Sequence, residues 1–248
     1  MQDEHFGFRS RHSTSLQLAH LIERITRIFG EKRLTGTVFF DVTKAFDTVW
    51  IESLLYKLTL LNFPSYIAHT ISSYLWGRTF EASCKTATSS RRGMRVVVAQ
   101  GGLISPVLCR GQGDVNAMPS PSHHVELALY SDDMTNIAMS CKPMLLVSYL
   151  ESYLNDLQRW LSEWRTAINV SKSTAIIFAR AGQCFIQPRP VTLFGEPIQW
   201  VETTCYLGVT VDKRLTWSPH IDQVRKKTAQ TPPEYEEWSL CQERGLAI

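Results

Sequence analysis

The chain has 248 residues, 44% of them apolar, with seven Trp and a formal net charge of +3. That profile excludes a disordered chain and fits one large folded domain, or one and a half. No apolar run approaches the roughly 20 residues of a membrane span, no secretory leader opens the chain, and the six Cys lack any C-x-x-C spacing, so free thiols in a reducing, intracellular setting are expected.

Ser13 or Thr14 is placed to cap a helix carrying Leu18, Leu21, Ile22, Ile25, Ile28 and Phe29 at helical spacing, with Gly30 as its stop. A strand over Thr37–Val42 follows, with Asp41 near its tip. A helix is predicted from about Trp50 through Leu54, Leu55, Leu58 and Leu61, and Pro64 opens another through Ile67, Ile71, Tyr74 and Leu75. Arg78–Cys84 and Arg95–Val98 read as strands that pair in a hairpin. Gln100-Gly101-Gly102 makes a turn into a short helix. Val125–Tyr130 and Met134–Met139 form a second hairpin around Ser131-Asp132-Asp133. The longest helix follows Pro143, with a stripe of Leu146, Leu150, Tyr153, Leu154, Leu157, Leu161 and Trp164. Strands at Thr174–Phe178, Val191–Phe194 and Cys205–Val209 come next, then a last helix after Pro219. This succession predicts an α+β fold, a split β-α-β sheet with helices on one face. Asp41 and Asp132 then meet on its exposed face.

Two strands that each deliver an Asp at the tip make a site for two divalent cations, the arrangement that holds attacking and leaving oxygens in line during phosphoryl transfer. Magnesium suits it, taking one or two carboxylates and filling its other positions with water and phosphate oxygens. Each Asp alone is equally an ordinary turn or cap residue; the joint pattern carries the reading. Four features extend it, each with a plainer alternative. Phe46 can lie under the sugar of an incoming nucleotide and clash with a ribose 2′-hydroxyl, or serve as a core residue at a helix start. Gln100-Gly101-Gly102 lets backbone approach a phosphate or base ahead of a helix N-terminus, or is a strand-to-helix turn. Lys172 can neutralise or protonate a leaving pyrophosphate, or is a solvated lysine. Tyr206-Leu207-Gly208-Val209 reads as a short strand whose glycine admits another backbone, or as a β-bulge. The basic clusters, Arg9 to Arg33, Arg91 to Arg95 and Arg225 to Lys227, each fit a solvated face.

In this order the blocks resemble the reverse transcriptases of non-LTR (LINE-type) retrotransposons, the jockey-like arthropod branch most closely. The pieces are Phe6-Gly-Phe-Arg-Ser-Arg-His-Ser-Thr14, Phe40-Asp-Val-Thr-Lys-Ala-Phe-Asp-Thr-Val-Trp50, Gln100-Gly-Gly-Leu-Ile-Ser-Pro106, Tyr130-Ser-Asp-Asp133, Asn169-Val-Ser-Lys172 and Tyr206-Leu-Gly-Val209. The resemblance spans about His5 to about Gln230. It implies a reverse transcriptase palm, with partial fingers over 1–36, a palm-like domain over 37–230, no thumb, and an unrelated tail over 231–248. It implies RNA-directed DNA synthesis from an RNA template, a DNA primer and dNTPs, with Mg2+, or Mn2+ in its place. Asp41, Asp132 and Asp133 are then catalytic and metal-binding, with the Val42 carbonyl as a backbone ligand. Phe46 is the sugar gate, Gln100 and Gly101 line the nucleotide and template pocket, and Lys172 serves the pyrophosphate. Tyr206 to Val209 support the primer, and Arg9 and Arg11 contact phosphates.

The chain departs from the family pattern in places. Ala99 replaces the usual Pro, Ser131 and Met134 flank the acidic pair, and Gly111 and Gly113 fall where an apolar helix belongs, each costing about 1 kcal/mol relative to Ala. The likeness stops at Thr231-Pro232-Pro233. These departures suggest a truncated element copy and keep a second reading open: a catalytically dead remnant that binds nucleic acid weakly or not at all. A two-metal nuclease is a third, but leaves Phe46, Gln100 and Gly101 without a purpose.

Overall fold

The computed structural model describes residues 13–42, 51–85, 87–93, 118–130 and 133–230. In chain order these form α1 (Thr14–Gly30), β1 (Leu34–Phe40), α2 (Ile51–Leu60), α3 (Ser65–Leu75), the short strands β2 (Thr79–Phe80), β3 (Ser83–Cys84), β4 (Ala87–Thr88) and β5 (Arg92–Gly93), then β6 (Val125–Tyr130), β7 (Asp133–Ser140) and α4 (Pro143–Glu163). They continue with β8 (Thr174–Phe178), β9 (Val191–Leu193), β10 (Glu196–Ile198), β11 (Thr203–Tyr206), β12 (Val209–Asp212) and α5 (Ser218–Gln230).

β1 is rich in β-branched and aromatic residues, and every one of its residues is buried, as a strand covered on both faces requires. It sits inside a sheet of order β6-β7-β1-β8, antiparallel at each pairing. β6 and β1 therefore run the same way with β7 inserted between them, which is the split β-α-β arrangement predicted. β1 begins and ends earlier than the expected Thr37–Val42. Its extent is set by its neighbours, Leu34 pairing with Ser140 and Thr35 with Phe178. Val42 keeps only an isolated bridge to Ile168.

The pleat sorts side chains onto two faces. Val38, Phe40, Leu127, Leu129, Met134, Ala138, Ala175 and Ile177 pack in one apolar cluster with Leu146, Leu150, Leu154, Leu157 and Leu161 of α4. Phe39, Ile137, Ile176 and Phe178 pack in a second cluster with Leu21 and Ile25 of α1 and with Tyr206 and Val211 of the β11–β12 ribbon. Helices on a single face were expected; the sheet is covered on both. The reason lies in β1, β7 and β8, whose alternate positions are apolar on each side, so neither face can be left to water. An Arg24–Glu126 ion pair ties α1 to β6, and Ser13 caps α1 by accepting from Leu16 N at 3.2 Å.

Two sequence expectations change locally. The hairpin after Arg78 forms, but β2 pairs with β5 and β3 with β4; Arg95–Val98 lies outside the described residues. Cys205–Val209 is not one strand. It is the tip of the β11–β12 hairpin, where Tyr206 pairs with Val209 across Leu207 (φ 49°) and Gly208 (φ 80°). Two successive positive φ angles are what a tight two-residue hairpin needs, and glycine adopts one without strain. A Cβ on Gly208 would meet nothing within 4 Å, so it is the turn's positive φ rather than packing inside the chain that calls for glycine here.

Candidate active site

The β1–β7 ladder ends with Phe40 opposite Met134, and the β6–β7 ladder ends with Tyr130 opposite Asp133. One further step along β1 brings Asp41 level with Asp133. By alternation Asp41, Asp133 and Tyr130 share the face of Phe39, Thr135 and Ile137, the face covered by α1. Asp41 is exposed and Asp133 is partly buried, so a carboxylate row opens at the end of a rigid sheet.

Asp41 is held on both sides of its Cα by one turn. Its N–H donates to Ser173 Oγ at 3.2 Å, and its carbonyl accepts from Asn169 N at 2.8 Å. The turn is closed on itself: Ser173 Oγ donates to the Asn169 carbonyl at 2.8 Å, and Asn169 Oδ1 accepts from Ser171 Oγ at 2.7 Å and Lys172 N at 3.2 Å. Lys172 projects from this turn as an exposed residue. The sequence treats Asp41 and Lys172 as separate features; the fold fastens the turn that carries Lys172 directly to Asp41.

Behind the carboxylates stands Tyr206, 3% exposed, its ring 5.1 Å from that of Phe39 and tilted by 52°. Gln17 Nε2 of α1 donates to its hydroxyl at 3.4 Å. Burial pushes the Tyr206 hydroxyl above its ordinary pKa; the side chains of Gln17 and Thr135 pull the other way, and the charge of Asp133 adds to the rise. Tyr206, Thr135 and Asp133 are thus electrostatic neighbours. Gln17 and Ser173 were not singled out in the sequence. Gln17 was findable, being a polar residue in line with the buried stripe Leu21, Ile25 and Ile28.

Asp212 shows a carboxylate with a different task. Buried at 7% exposure, it accepts from Arg214 N, Thr216 N, Thr216 Oγ1 and Trp217 N, which leaves no lone pair facing a ligand and fixes the approach to α5. Phe46, Gln100, Gly101 and Asp132 lie outside the described residues, as do the Phe6–His12 stretch, the Gly111 and Gly113 positions and the chain beyond 230. Among the described residues no group of three or more His, Cys, Asp and Glu is arranged to hold a metal ion, and no helix is long and apolar enough to cross a membrane.

Residues 1–211 match the family of reverse transcriptases (RNA-dependent DNA polymerases), and the chain belongs to that family. It is 32% identical over 231 residues to the RNA-directed DNA polymerase from the mobile element jockey of Drosophila melanogaster, covering 89% of this chain and 24% of that protein. It is 31% identical over 235 residues to the probable RNA-directed DNA polymerase from transposon BS of the same organism, covering 93% of this chain and 26% of the relative. The resemblance to jockey-like non-LTR elements, drawn from the motif blocks, therefore stands. The chain spans about a quarter of the length of these relatives. Among solved structures, apo telomerase from Candida tropicalis, truncated from its C-terminal domain, superposes with a TM-score of 0.55 at 12% identity over 87% of this chain and 40% of that one. At that identity the likeness concerns the fold.

Proposed function

We propose that this chain is the palm-like part of an RNA-directed DNA polymerase that uses two divalent cations to transfer nucleotides to a DNA primer on an RNA template. The observation that carries this reading is the placement of Asp41 and Asp133 at adjoining strand ends on one face, within a chain of the reverse transcriptase family. The donor chemistry fits Mg2+, or Mn2+ in its place: exposed or half-buried carboxylate oxygens, with Asp132 next in sequence and the Val42 carbonyl following Asp41. When bound, such ions supply charge neutralisation at the reacting phosphate and favour ionisation of the attacking hydroxyl. The chain's own groups do the rest. Asp41, Asp132 and Asp133 hold the ions, and Lys172 offsets charge on the departing pyrophosphate. Phe46 excludes the 2′-hydroxyl of a ribonucleotide, and Gln100 with Gly101 shapes the nucleotide and template pocket. Tyr206 braces the floor beneath the carboxylates, and the ribbon turn at Leu207-Gly208 faces the primer side.

Primer extension on an RNA template with Mg2+ or Mn2+ tests this, with Asp132→Ala as the control. Product from the wild type that vanishes in the variant supports the proposal; equal signal from both removes it. A second reading, a domain that keeps the fold and has lost catalysis, draws on Asn136. That residue is fully buried on the α4 face between Val38 and Leu127, and among the described residues neither atom of its amide has a hydrogen-bond partner. An unpartnered buried amide costs about 1–3 kcal/mol, a burden the apolar neighbours do not share. That reading predicts no extension by the wild type, and any template binding indifferent to Asp41→Asn.

A further inference from the structure

We infer that Ser173 is the positioning residue that aims Asp41, acting through the peptide groups on either side of that aspartate. This rests on the proposed reading of Asp41 as a metal-holding carboxylate and adds a residue to it. β8 begins at Thr174, whose partner on β1 is Phe39, so the Asp41 N–H lies beyond the β1–β8 ladder. Ser173 Oγ accepts from it at 3.2 Å. The same hydroxyl hands its own proton to the Asn169 carbonyl at 2.8 Å, while Asn169 N holds the Asp41 carbonyl at 2.8 Å. Ser173 is 4% exposed, so water does not compete for these bonds. With the peptide planes before and after Asp41 both pinned, the direction of its Cα–Cβ bond is set by the turn rather than by the exposed side chain. Lys172 lies between the two pinning residues, so the same bonds set where its ammonium starts. One buried hydroxyl thereby keeps the carboxylate and the lysine in register.

The test is Mn2+ binding to the full chain, followed by electron paramagnetic resonance, for wild type, Asp41→Asn, Ser173→Ala, Ser173→Cys and Ser173→Thr, with melting curves for each. Wild type binds Mn2+ and Asp41→Asn weakens it. Ser173→Ala weakens binding about 10-fold, the scale on which partners of metal ligands act, without a matching loss of the melting transition. Ser173→Thr, which keeps the hydroxyl, stays within about twofold of wild type on the same scale. Should Ser173→Ala fail to fold, Ser173→Cys preserves the volume with a poor acceptor and shows the same weakening. Wild-type binding that Ser173→Ala and Ser173→Cys leave unchanged overturns the positioning role alone. A wild type that binds no Mn2+, or binds it equally with Asp41→Asn, overturns the metal-site reading and this inference with it.

Discussion

The two faces of the central sheet are built from the same strands and differ in what they tolerate. The α4 face is mostly apolar layer on apolar layer, with leucines of α4 meeting Val38, Phe40, Leu127 and Ile177, and Asn136 and Ser140 of β7 are buried polar residues on it. The α1 face is mixed: Thr35, Thr37, Thr135 and Gln17 are all buried there beside Phe39, Ile137 and Tyr206, and at its open end stand Asp41 and Asp133. The difference teaches that apolar and polar burial are divided by face: one side is almost wholly apolar burial, and the other gives part of its buried area to polar groups that lead to the carboxylates.

The comparison breaks most readily at α4. Leu154→Ala, at a fully buried position, should cost about 2–5 kcal/mol through lost burial and the cavity left behind, read from urea unfolding. A loss under 1 kcal/mol would mean the α4 face is not the main source of stability. Next in size, Asn136→Leu should raise stability by about 1–3 kcal/mol by removing an amide of similar volume that has no partner among the described residues. A fall in the unfolding midpoint would instead reveal a polar partner on the supposedly dry face. Gly208→Ala should cost about 1 kcal/mol, because the hairpin holds that residue at φ 80°; a neutral result would show that the β11–β12 turn relaxes to another type.

The smallest effect sharpens the picture of the α1 face. The Tyr206 hydroxyl titrates above its ordinary value of 10.0 in the folded chain. Above that value the unfolded chain has released this proton while the native chain still holds it. The stabilisation is therefore complete below pH 10 and is lost as pH rises through the native value. Tyr206→Phe should change stability by no more than about 1 kcal/mol at neutral pH, yet flatten the fall in melting temperature above pH 10. Parallel alkaline profiles for the two proteins would place Tyr206 in a wetter setting than the packing against Phe39 describes.

Much of this was legible in the letters. The α4 stripe from Leu146 to Leu161 is buried as its spacing indicated, and Thr174–Phe178 forms a strand with the predicted ends. β6 and β7 pair antiparallel as read, up to Tyr130 with Asp133. Periodicity reports which residues seek burial, and apolar strands ending in Asp stand out at short range. What periodicity omits is the partner. That α1 would cover the second face was not visible, because a helical stripe does not say which surface it will meet. The Tyr206–Val209 hairpin was mistaken for a strand because a turn of two residues leaves the apolar pattern nearly intact.

The amino-acid order alone determined the main helices, the four strands of the central sheet, and the family to which the chain belongs. Only the tertiary structure decided that Ser173 would reach Asp41 across 132 residues and Gln17 would reach Tyr206 across 189. Local sequence sets backbone preference within a few residues, whereas such bonds exist only once sheet pairing has brought distant segments to hydrogen-bonding distance and packing has excluded the water that would compete for them.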